Sequence, residues 1–249
     1  MIKKTLKHLE LFAGIGGFRK AIDLYCQDNN LSSKCVGFSE IDKYATLTYK
    51  SNYDTSNEAE IGDIQEFTSS INNINSLPDF DLLSGGFPCQ AFSMMGKQKG
   101  FEDKRGNLFY NIIDVILIKK PKYVLLENVR NIKNHDKGRT YKEIVRSLED
   151  DAGYYVTSDV FNTSDFGLPQ TRRRIFFFAV RKDLIDHPVN LDSEIVKDST
   201  IHLNGSTSLR KYKNVLDNLL EKSVDEKYYL SERIKPTILS NGSKNFKSK

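Results

Sequence analysis

Two kinds of segment alternate along most of the chain: short apolar runs, and longer stretches whose apolar positions recur at helical spacing. The predicted strands cover residues 8–12, 35–39, a few residues ending at Ile61, 80–84 and 123–126. The predicted helices cover residues 18–26, 42–52, 64–74, 108–118 and 141–148. Residues 154–161 and 175–180 predict a closing pair of strands. Such alternation is typical of βαβ units, so the predicted fold class is α/β, with a mostly parallel sheet covered on both faces.

The character of the sequence changes after residue 181. Residues 182–249 are polar, are interrupted by Pro188, Pro236 and two Asn-Gly pairs, and contain one helix-like stretch at 215–220. We therefore predict one folded domain at residues 1–181 and a polar extension at residues 182–249.

Composition narrows the class of protein. With 249 residues, 39% of them hydrophobic, the chain can bury a sizeable core, and it has no apolar run of the roughly 18 residues that a membrane helix needs. Glu10 interrupts the basic N-terminus before any signal-peptide core, so we expect a cytoplasmic protein. The three cysteines and four histidines lack ligand spacing, which excludes a disulfide scaffold and predicts no metal site. The net charge of +4 is compatible with a nucleic acid partner without requiring one.

Glycines follow the first predicted strand, in residues 11–18 (LFAGIGGF). They allow a tight turn and a close approach of the backbone to a ligand, although a bare structural turn has the same signature. Glu40, at the end of the second predicted strand, can accept hydrogen bonds from two ribose hydroxyls, and Asp63, after the third, can accept one from an adenine amine. Because three strand ends carry these features, we predict a nucleoside cofactor. These residues leave S-adenosylmethionine and NAD open.

A cysteine follows the fourth predicted strand, in residues 84–90 (SGGFPCQ). A free cysteine is most often a small buried hydrophobe. Cys89 instead lies among glycine, proline and glutamine residues in a segment too polar for a core, so we interpret it as a nucleophile. Residues 96–106 are rich in glycine and in cations, as expected of a lid that closes over a phosphate backbone.

The fifth predicted strand leads into a carboxylate, Glu127, in apolar surroundings. Partial burial would raise its pKa and suit it to donate a proton. Arg172 and Arg174 stand just ahead of the apolar residues 175–178, and on a strand they would point the same way. We interpret them as two guanidinium groups that face the site; a solvated face or an RNA-binding patch is the alternative for such an arginine run.

In combination these blocks resemble the DNA cytosine-5 methyltransferase family, of the bacterial restriction-modification type. The blocks that carry the resemblance lie in order at residues 12–17, 40, 62–64, 86–90, 127–129 and 170–174. The resemblance implies a Rossmann-like, S-adenosylmethionine-dependent methyltransferase fold, with S-adenosylmethionine as cofactor and double-stranded DNA as partner. Phe87 favours DNA over tRNA as the substrate, because members that methylate tRNA usually have a second proline at that position.

The resemblance also implies a role for each site residue. Cys89 would add to C6 of cytosine so that C5 can take a methyl group, and Glu127 would hold or protonate N3. Arg174 would contact the O2 edge, and Arg172 would support the cysteine loop. The cytosine would be flipped out of the duplex, with the lid at 96–106 closing behind it. The cofactor would be bound by Phe12, Gly14, Ile15, Gly16, Gly17, Glu40, Asp63, Ile64, Pro88 and Leu108.

The sequence departs from the family after residue 181. Members continue into a target-recognition region and end in a helix that packs back onto the cofactor pocket, and the blocks typical of these parts are absent before Lys249. We therefore expect residues 182–249 to be the start of an incomplete target-recognition region. A truncated gene, one half of a split enzyme that needs a complementary C-terminal methyltransferase chain, or a degenerate remnant would each explain this. We expect weak or no methylation by this chain alone.

Other classes of protein fit the sequence less well. An NAD-dependent oxidoreductase would explain the glycine turn but leaves Cys89, Glu127 and the two arginines without a role. DNA enzymes that methylate amino groups carry a Pro-Pro motif, and this chain has none. A non-catalytic binding subunit is the main alternative, and a tRNA methyltransferase is a lesser one.

Overall fold

In the computed structural model, residues 3–88, 108–166 and 170–190 are described. The strands are β1 (Thr5–Leu11), β2 (Ser32–Ser39), β3 (Ala59–Glu60), β4 (Leu82–Gly86), β5 (Tyr123–Val129), β6 (Tyr154–Asn162) and β7 (Arg173–Arg181). The α-helices are α1 (Gly17–Asp28), α2 (Lys43–Asn52), α3 (Ile64–Thr68), α4 (Ile71–Ser76), α5 (Leu108–Lys119) and α6 (Arg139–Arg146). The predicted helix at 215–220 lies outside the described residues. So does the predicted polar extension from residue 191 onward.

The seven strands form one sheet in the order β3-β2-β1-β4-β5-β7-β6. Strands β1 to β5 pair in parallel, whereas β7 pairs antiparallel with both β5 and β6. The predicted closing pair of strands is the β6–β7 pair. The predicted α/β class with a mostly parallel sheet is confirmed.

Alternate residues of the central strands pack against different helices. Leu82 of β4 joins Ile22 and Cys26 of α1 in one apolar cluster, and Leu83 joins Phe109 of α5 in another. Successive side chains of a strand point to opposite faces of the sheet. Helices therefore cover both faces of the sheet, as the sequence predicts, and the cysteine in this cluster is a buried free thiol.

The helices differ from the predictions in one place. The predicted helix at 64–74 is two short helices, α3 and α4, because the backbone of Ser70 is extended (φ −124°) and Ser69 bonds to the carbonyl oxygen of Glu66. Serine side chains compete with helical hydrogen bonds in this way. Helix α5 is apolar on most sides and deeply buried, as predicted. Within the described residues, no helix is long and apolar enough to cross a membrane.

Two titratable side chains are completely buried on β1, two residues apart. Both His8 and Glu10 are 0% exposed. The Glu10 carboxylate accepts hydrogen bonds from the Tyr49 hydroxyl at 3.1 Å and from the Arg19 backbone N–H at 3.3 Å, and burial raises its pKa to about 7. Neither ring nitrogen of His8 has a hydrogen-bond partner, and burial, reinforced by the Arg19 charge, lowers the pKa of His8 to about 4. His8 is therefore a neutral, unpaired polar group in the core.

We expect the substitution His8→Leu to raise the free energy of unfolding by about 1 kcal/mol at pH 7, because it removes two unpaired buried nitrogens. Below its ordinary pKa of 6.5, His8 binds a proton in the unfolded chain but not in the folded one, so the wild type loses stability as the pH falls towards 4. The variant lacks this loss, and its advantage should grow by roughly 2 kcal/mol on going to pH 5. Urea unfolding of both proteins at several pH values measures the difference. A difference that does not change with pH would contradict the assignment.

Candidate functional site

The turn between β1 and α1 has a left-handed backbone at three positions. The φ angles are 55° at Phe12, 56° at Gly14 and 93° at Gly16. A backbone hydrogen bond of 2.9 Å from Ala13 to the carbonyl oxygen of Ser39 ties this glycine turn, residues 12–17, to the end of β2. Glycine adopts such angles without the strain that a side chain would add, so the glycines at 14 and 16 are the residues that the turn requires.

Glu40 holds the glycine turn from the end of β2. Its Oε2 accepts a hydrogen bond from the Gly14 backbone N–H at 2.7 Å, and its Oε1 accepts one each from Ile41 and Asp42 at 2.9 Å. The structure therefore brings together the first two predicted cofactor blocks. A carboxylate has about four lone-pair sites, so three backbone bonds leave room for a further donor.

A buried ion pair supports the same turn from beneath. The Arg19 guanidinium makes two bonds to Glu58, at 2.8 and 2.9 Å, and these side chains are only 11% and 7% exposed. The guanidinium also lies 4.3 Å from the centre of the Tyr53 ring, and the Tyr53 hydroxyl donates a hydrogen bond of 2.9 Å to the Gly16 carbonyl oxygen. Sequence reasoning missed Tyr53 and Glu58, because the bonds from Tyr53 to Gly16 and from Arg19 to Glu58 each span more than thirty-five residues of sequence.

The remaining predicted cofactor residues lie at the neighbouring strand ends. Asp63 is exposed and caps α3 by accepting from the Gln65 backbone N–H at 2.8 Å, while Ile64 is buried beneath it. Ile15 is 61% exposed in the glycine turn, and Ile41, which the sequence analysis did not single out, is 77% exposed beside Glu40. Two exposed apolar side chains at one strand-end edge are suited to contact an apolar ligand surface.

Glu127 and Arg174 form an ion pair at the end of β5. Arg174 Nε lies 2.8 Å from Glu127 Oε1, and the two side chains are 23% and 21% exposed. The other carboxylate oxygen lies over Gly86 at the end of β4, where an added Cβ would come within 3.2 Å of it. Burial raises the pKa of Glu127, and the charges of Arg174 and Arg172 counteract part of that rise. Glu127 is thus a carboxyl group that protonates more readily than an exposed one.

Arg172 does not lie on the strand on which it was predicted. β7 begins at Arg173, and Arg172 is exposed immediately before it. Its backbone is held by Thr163, whose hydroxyl accepts from the Arg172 N–H at 3.1 Å and whose own N–H donates to the Arg172 carbonyl oxygen at 3.2 Å. Arg172 is near enough to Glu127 to lower its pKa, so both predicted arginines belong to the surroundings of this carboxylate.

Asn128 follows Glu127 in the block at residues 127–129, and no role was predicted for it from the sequence. Its side chain is buried, and its amide nitrogen donates a hydrogen bond of 2.8 Å to the carbonyl oxygen of Phe87. Its amide oxygen accepts from the Val129 backbone N–H at 2.8 Å. Asn128 therefore fixes the chain that leaves β4 two residues before position 89.

Two predicted features of the site, Cys89 and the lid at 96–106, lie outside the described residues. Pro88, exposed, and Leu108, half-buried at the start of α5, are described on either side of them. The described residues thus contain both ends of the segment that carries the predicted nucleophile.

The fold is that of methyltransferases. The crystal structure of the Dnmt2 methyltransferase from S. pombe superposes with a TM-score of 0.63 at 19% sequence identity, over 94% of this chain and 65% of that one. The methyltransferase EhMeth from Entamoeba histolytica gives a TM-score of 0.61 at 23% identity, over 96% and 66% of the two chains. The predicted methyltransferase fold is confirmed.

The chain belongs to the C-5 cytosine-specific DNA methylase family, whose sequence profile matches residues 6–249. It is 41% identical to the type II methyltransferase M1.ScrFI of Lactococcus lactis subsp. cremoris over 93% of this chain and 53% of the relative. It is 42% identical to the type II methyltransferase M.HhaI of Haemophilus parahaemolyticus over 72% and 50%. The chain therefore spans about half the length of these relatives.

We expect the substitution Gly16→Ala to lower the free energy of unfolding by about 2–4 kcal/mol, because it adds backbone strain to a steric clash. The φ angle is +93°, and an added Cβ would come within 2.3 Å of the Tyr53 ring. Gly17→Ala is the matched control, because an added Cβ there meets nothing within 4 Å. Thermal or urea unfolding of both variants tests this expectation, and equal stability of the two would contradict it.

Proposed function

We propose that this chain is the catalytic part of a DNA (cytosine-5-)-methyltransferase of the type II restriction-modification kind, which uses S-adenosylmethionine. The observation that carries the proposal is the Glu127–Arg174 pair packed over Gly86, three residues before Cys89. Family membership supports it, and so does the arrangement of the glycine turn and Glu40 at the neighbouring strand ends.

The residues of the glycine turn fit S-adenosylmethionine. An added Cβ at Gly14 or Gly17 would meet nothing within 4 Å, so the backbone here is open to a ligand. Gly14, Ile15, Gly16 and Gly17 would surround its methionine part, and Glu40 would accept from the ribose with its remaining lone pairs. Its adenine would lie among apolar and capping residues: Phe12, Ile41, Asp63, Ile64, Pro88 and Leu108. Bound there, S-adenosylmethionine supplies an electrophilic methyl group.

The catalytic side chains would activate the ring of a flipped cytosine. The Cys89 thiolate adds to C6, and the electrons of the C5–C6 double bond shift so that C5 becomes nucleophilic. Glu127 holds a proton at N3 and so neutralises the charge that develops on the ring, a task for which its raised pKa suits it. After C5 has taken the methyl group and S-adenosylhomocysteine has departed, loss of the C5 proton would restore the C5–C6 double bond, break the S–C6 bond and release the Cys89 thiolate.

Three residues would position these groups. Arg174 fixes one oxygen of Glu127 and leaves the other over Gly86, where the path to Cys89 begins. Arg174 would also contact the O2 edge of the base, and Arg172 would support the cysteine loop and its thiolate. Asn128 would set the direction of residues 87–89 through its bond to the Phe87 carbonyl.

A covalent trap tests the proposed function. The chain is mixed with S-adenosylmethionine and a sequence-randomised duplex containing 5-fluorocytosine, whose fluorine cannot leave as a proton does. We expect a denaturant-resistant protein–DNA adduct that Cys89→Ala reduces by at least about 100-fold. Cys26→Ala is the matched control, since Cys26 is a buried free thiol on α1. A chain that binds DNA and S-adenosylmethionine but forms no adduct, even with the segment described next, would be a binding subunit.

We also propose that a C-terminal segment supplied by a complementary methyltransferase chain completes the cofactor site. Apolar side chains beside the glycine turn and on α1 are solvent-exposed: Ile15 by 61%, Leu24 by 37% and Tyr25 by 56%. Isolated exposed apolar residues are normal, but Ile15 lies in the glycine turn, and Leu24 and Tyr25 lie on α1, the helix that follows it.

The segment proposal predicts a gain of function. Adding the C-terminal half of a relative such as M1.ScrFI should increase the rate of adduct formation at least about 10-fold, because a completed pocket holds the cofactor more tightly. A variant that makes the exposed α1 surface polar, Leu24→Gln with Tyr25→Gln, should lose this gain while keeping the basal rate. A full rate without the segment would refute the idea.

A further inference from the structure

Within the described part of the chain, the ion pairs of basic residues differ between the two edges of the sheet. At the edge where β4 and β5 begin, three cations form ion pairs with carboxylates. Lys119 pairs with Asp79 at 2.9 Å and Lys122 with Asp81 at 2.7 Å. Beside them, Arg181 at the end of β7 pairs with Asp183. These pairs neutralise part of the positive charge of this edge, where Lys4, Lys34 and Lys120 are also exposed.

The opposite edge, which carries Glu127, is strongly basic. Segments 130–142 and 170–174 contain eight lysines and arginines and a single carboxylate, Asp136. That carboxylate is paired with Arg139, and Arg174 is paired with Glu127. Within the described residues, the other cations around this end of β5 have no salt-bridge partner. We call five of them the basic edge: Arg130, Lys133, Lys137, Arg172 and Arg173.

Strand pairing brings the two segments of the basic edge together. β5 and β7 run antiparallel with Val129 opposite Arg174, so Arg130 leaves the sheet where Arg173 enters it. A 3-10 turn at Arg130–Lys133 follows directly. The two segments therefore form one continuous surface within a few residues of Glu127, although they are far apart in sequence.

The backbone of both segments is held in place by local contacts. Thr163 holds the backbone of Arg172 through two hydrogen bonds, of 3.1 and 3.2 Å. On the other segment, residues 136–138 all have left-handed φ angles, and the Asp136–Arg139 ion pair closes this turn with Lys137 exposed. Burial of Ile132 anchors the 3-10 turn between Arg130 and Lys133. A backbone that is already held in place loses little freedom when the side chains it carries meet an anion.

We propose that the basic edge binds the phosphate backbone of double-stranded DNA beside the flipped cytosine. A row of unpaired cations attracts a polyanion and gains further when condensed counterions leave the DNA. Its position next to Glu127 places it where a base entering the site must leave the duplex. The inference rests on the proposed function for its choice of DNA and deepens it by assigning the surface that holds the strand.

The test is the salt dependence of duplex binding, measured by fluorescence anisotropy with the full chain. The basic-edge variant carries Arg130→Gln, Lys133→Gln and Lys137→Gln. The matched control removes three exposed cations from the opposite edge: Lys4→Gln, Lys34→Gln and Lys120→Gln. We expect the basic-edge variant to lose about 100-fold in affinity near 0.1 M salt and the slope of log K against log salt to become shallower by about 2 to 3. The control should stay within about 2-fold, since phosphate contacts alone set this slope. Unchanged melting temperatures confirm that both variants are folded.

The outcomes separate this inference from the proposed function. If the wild type forms the Cys89-dependent adduct but the two variants bind DNA equally well, the basic edge is not the DNA surface and the function stands. If no adduct forms but the basic-edge variant alone loses binding, the surface assignment stands without the catalytic function. Tighter binding of an RNA hairpin than of a duplex, lost in the same variant, would replace DNA by RNA and overturn the proposal.

Discussion

The close approach of β1 and β4 is the constraint on which the rest of the site depends. Leu11 and Gly85 are paired across these two strands, and a Cβ on Gly85 would come within 2.8 Å of the Leu11 carbonyl oxygen. Only glycine therefore allows the two strands to lie side by side at this point. From β1 the chain adds β2 and β3 on one side of the sheet, and then returns to add β4 and β5 on the other side. In sheets of this kind, ligands bind at the carboxyl ends of the two strands that flank this change of direction. The glycine turn leaves β1 and the cysteine segment leaves β4 from neighbouring points because of this one contact.

Two ion pairs flank this reversal, and they differ in how much water reaches them. Arg19 and Glu58 are almost wholly buried, are joined by two bonds and support the backbone of the glycine turn. Arg174 and Glu127 share one bond and remain about one-fifth exposed, with the second carboxylate oxygen uncommitted to the arginine. Breaking a buried pair leaves an uncompensated charge, so the first pair is suited to a structural task. The second keeps a carboxyl group available for proton transfer, a task that needs both access and a shifted pKa.

The sequence was sufficient for the fold because apolar runs of strand length alternate with apolar positions of helical spacing, and both follow from burial on a two-faced sheet. It was also sufficient to place Glu40 and the glycine turn at one edge, because β1 and β2 are parallel and end there, whereas Arg174 reaches that edge because the antiparallel strand β7 begins there. It was not sufficient for the break at Ser69 and Ser70, where local hydrogen bonds of serine outweigh helical spacing. Tyr53 and Asn128 were beyond it as well, since their roles consist of bonds to backbone carbonyls that leave no pattern in the side chains.

The reversed direction of β7 has a consequence for the order in which the site is assembled during synthesis. Glu127 emerges from the ribosome after β1 to β4 and before Arg174 is made. Until β7 inserts between β5 and β6, Glu127 lacks both the Arg174 cation and the strand that pairs with it on this side. Since domains fold as their chains emerge, the insertion of β7 joins the described strands into one sheet and forms the Glu127–Arg174 pair in the same event. The last strand of the described part therefore completes the described sheet and brings the cation of the site to its carboxylate at the same time.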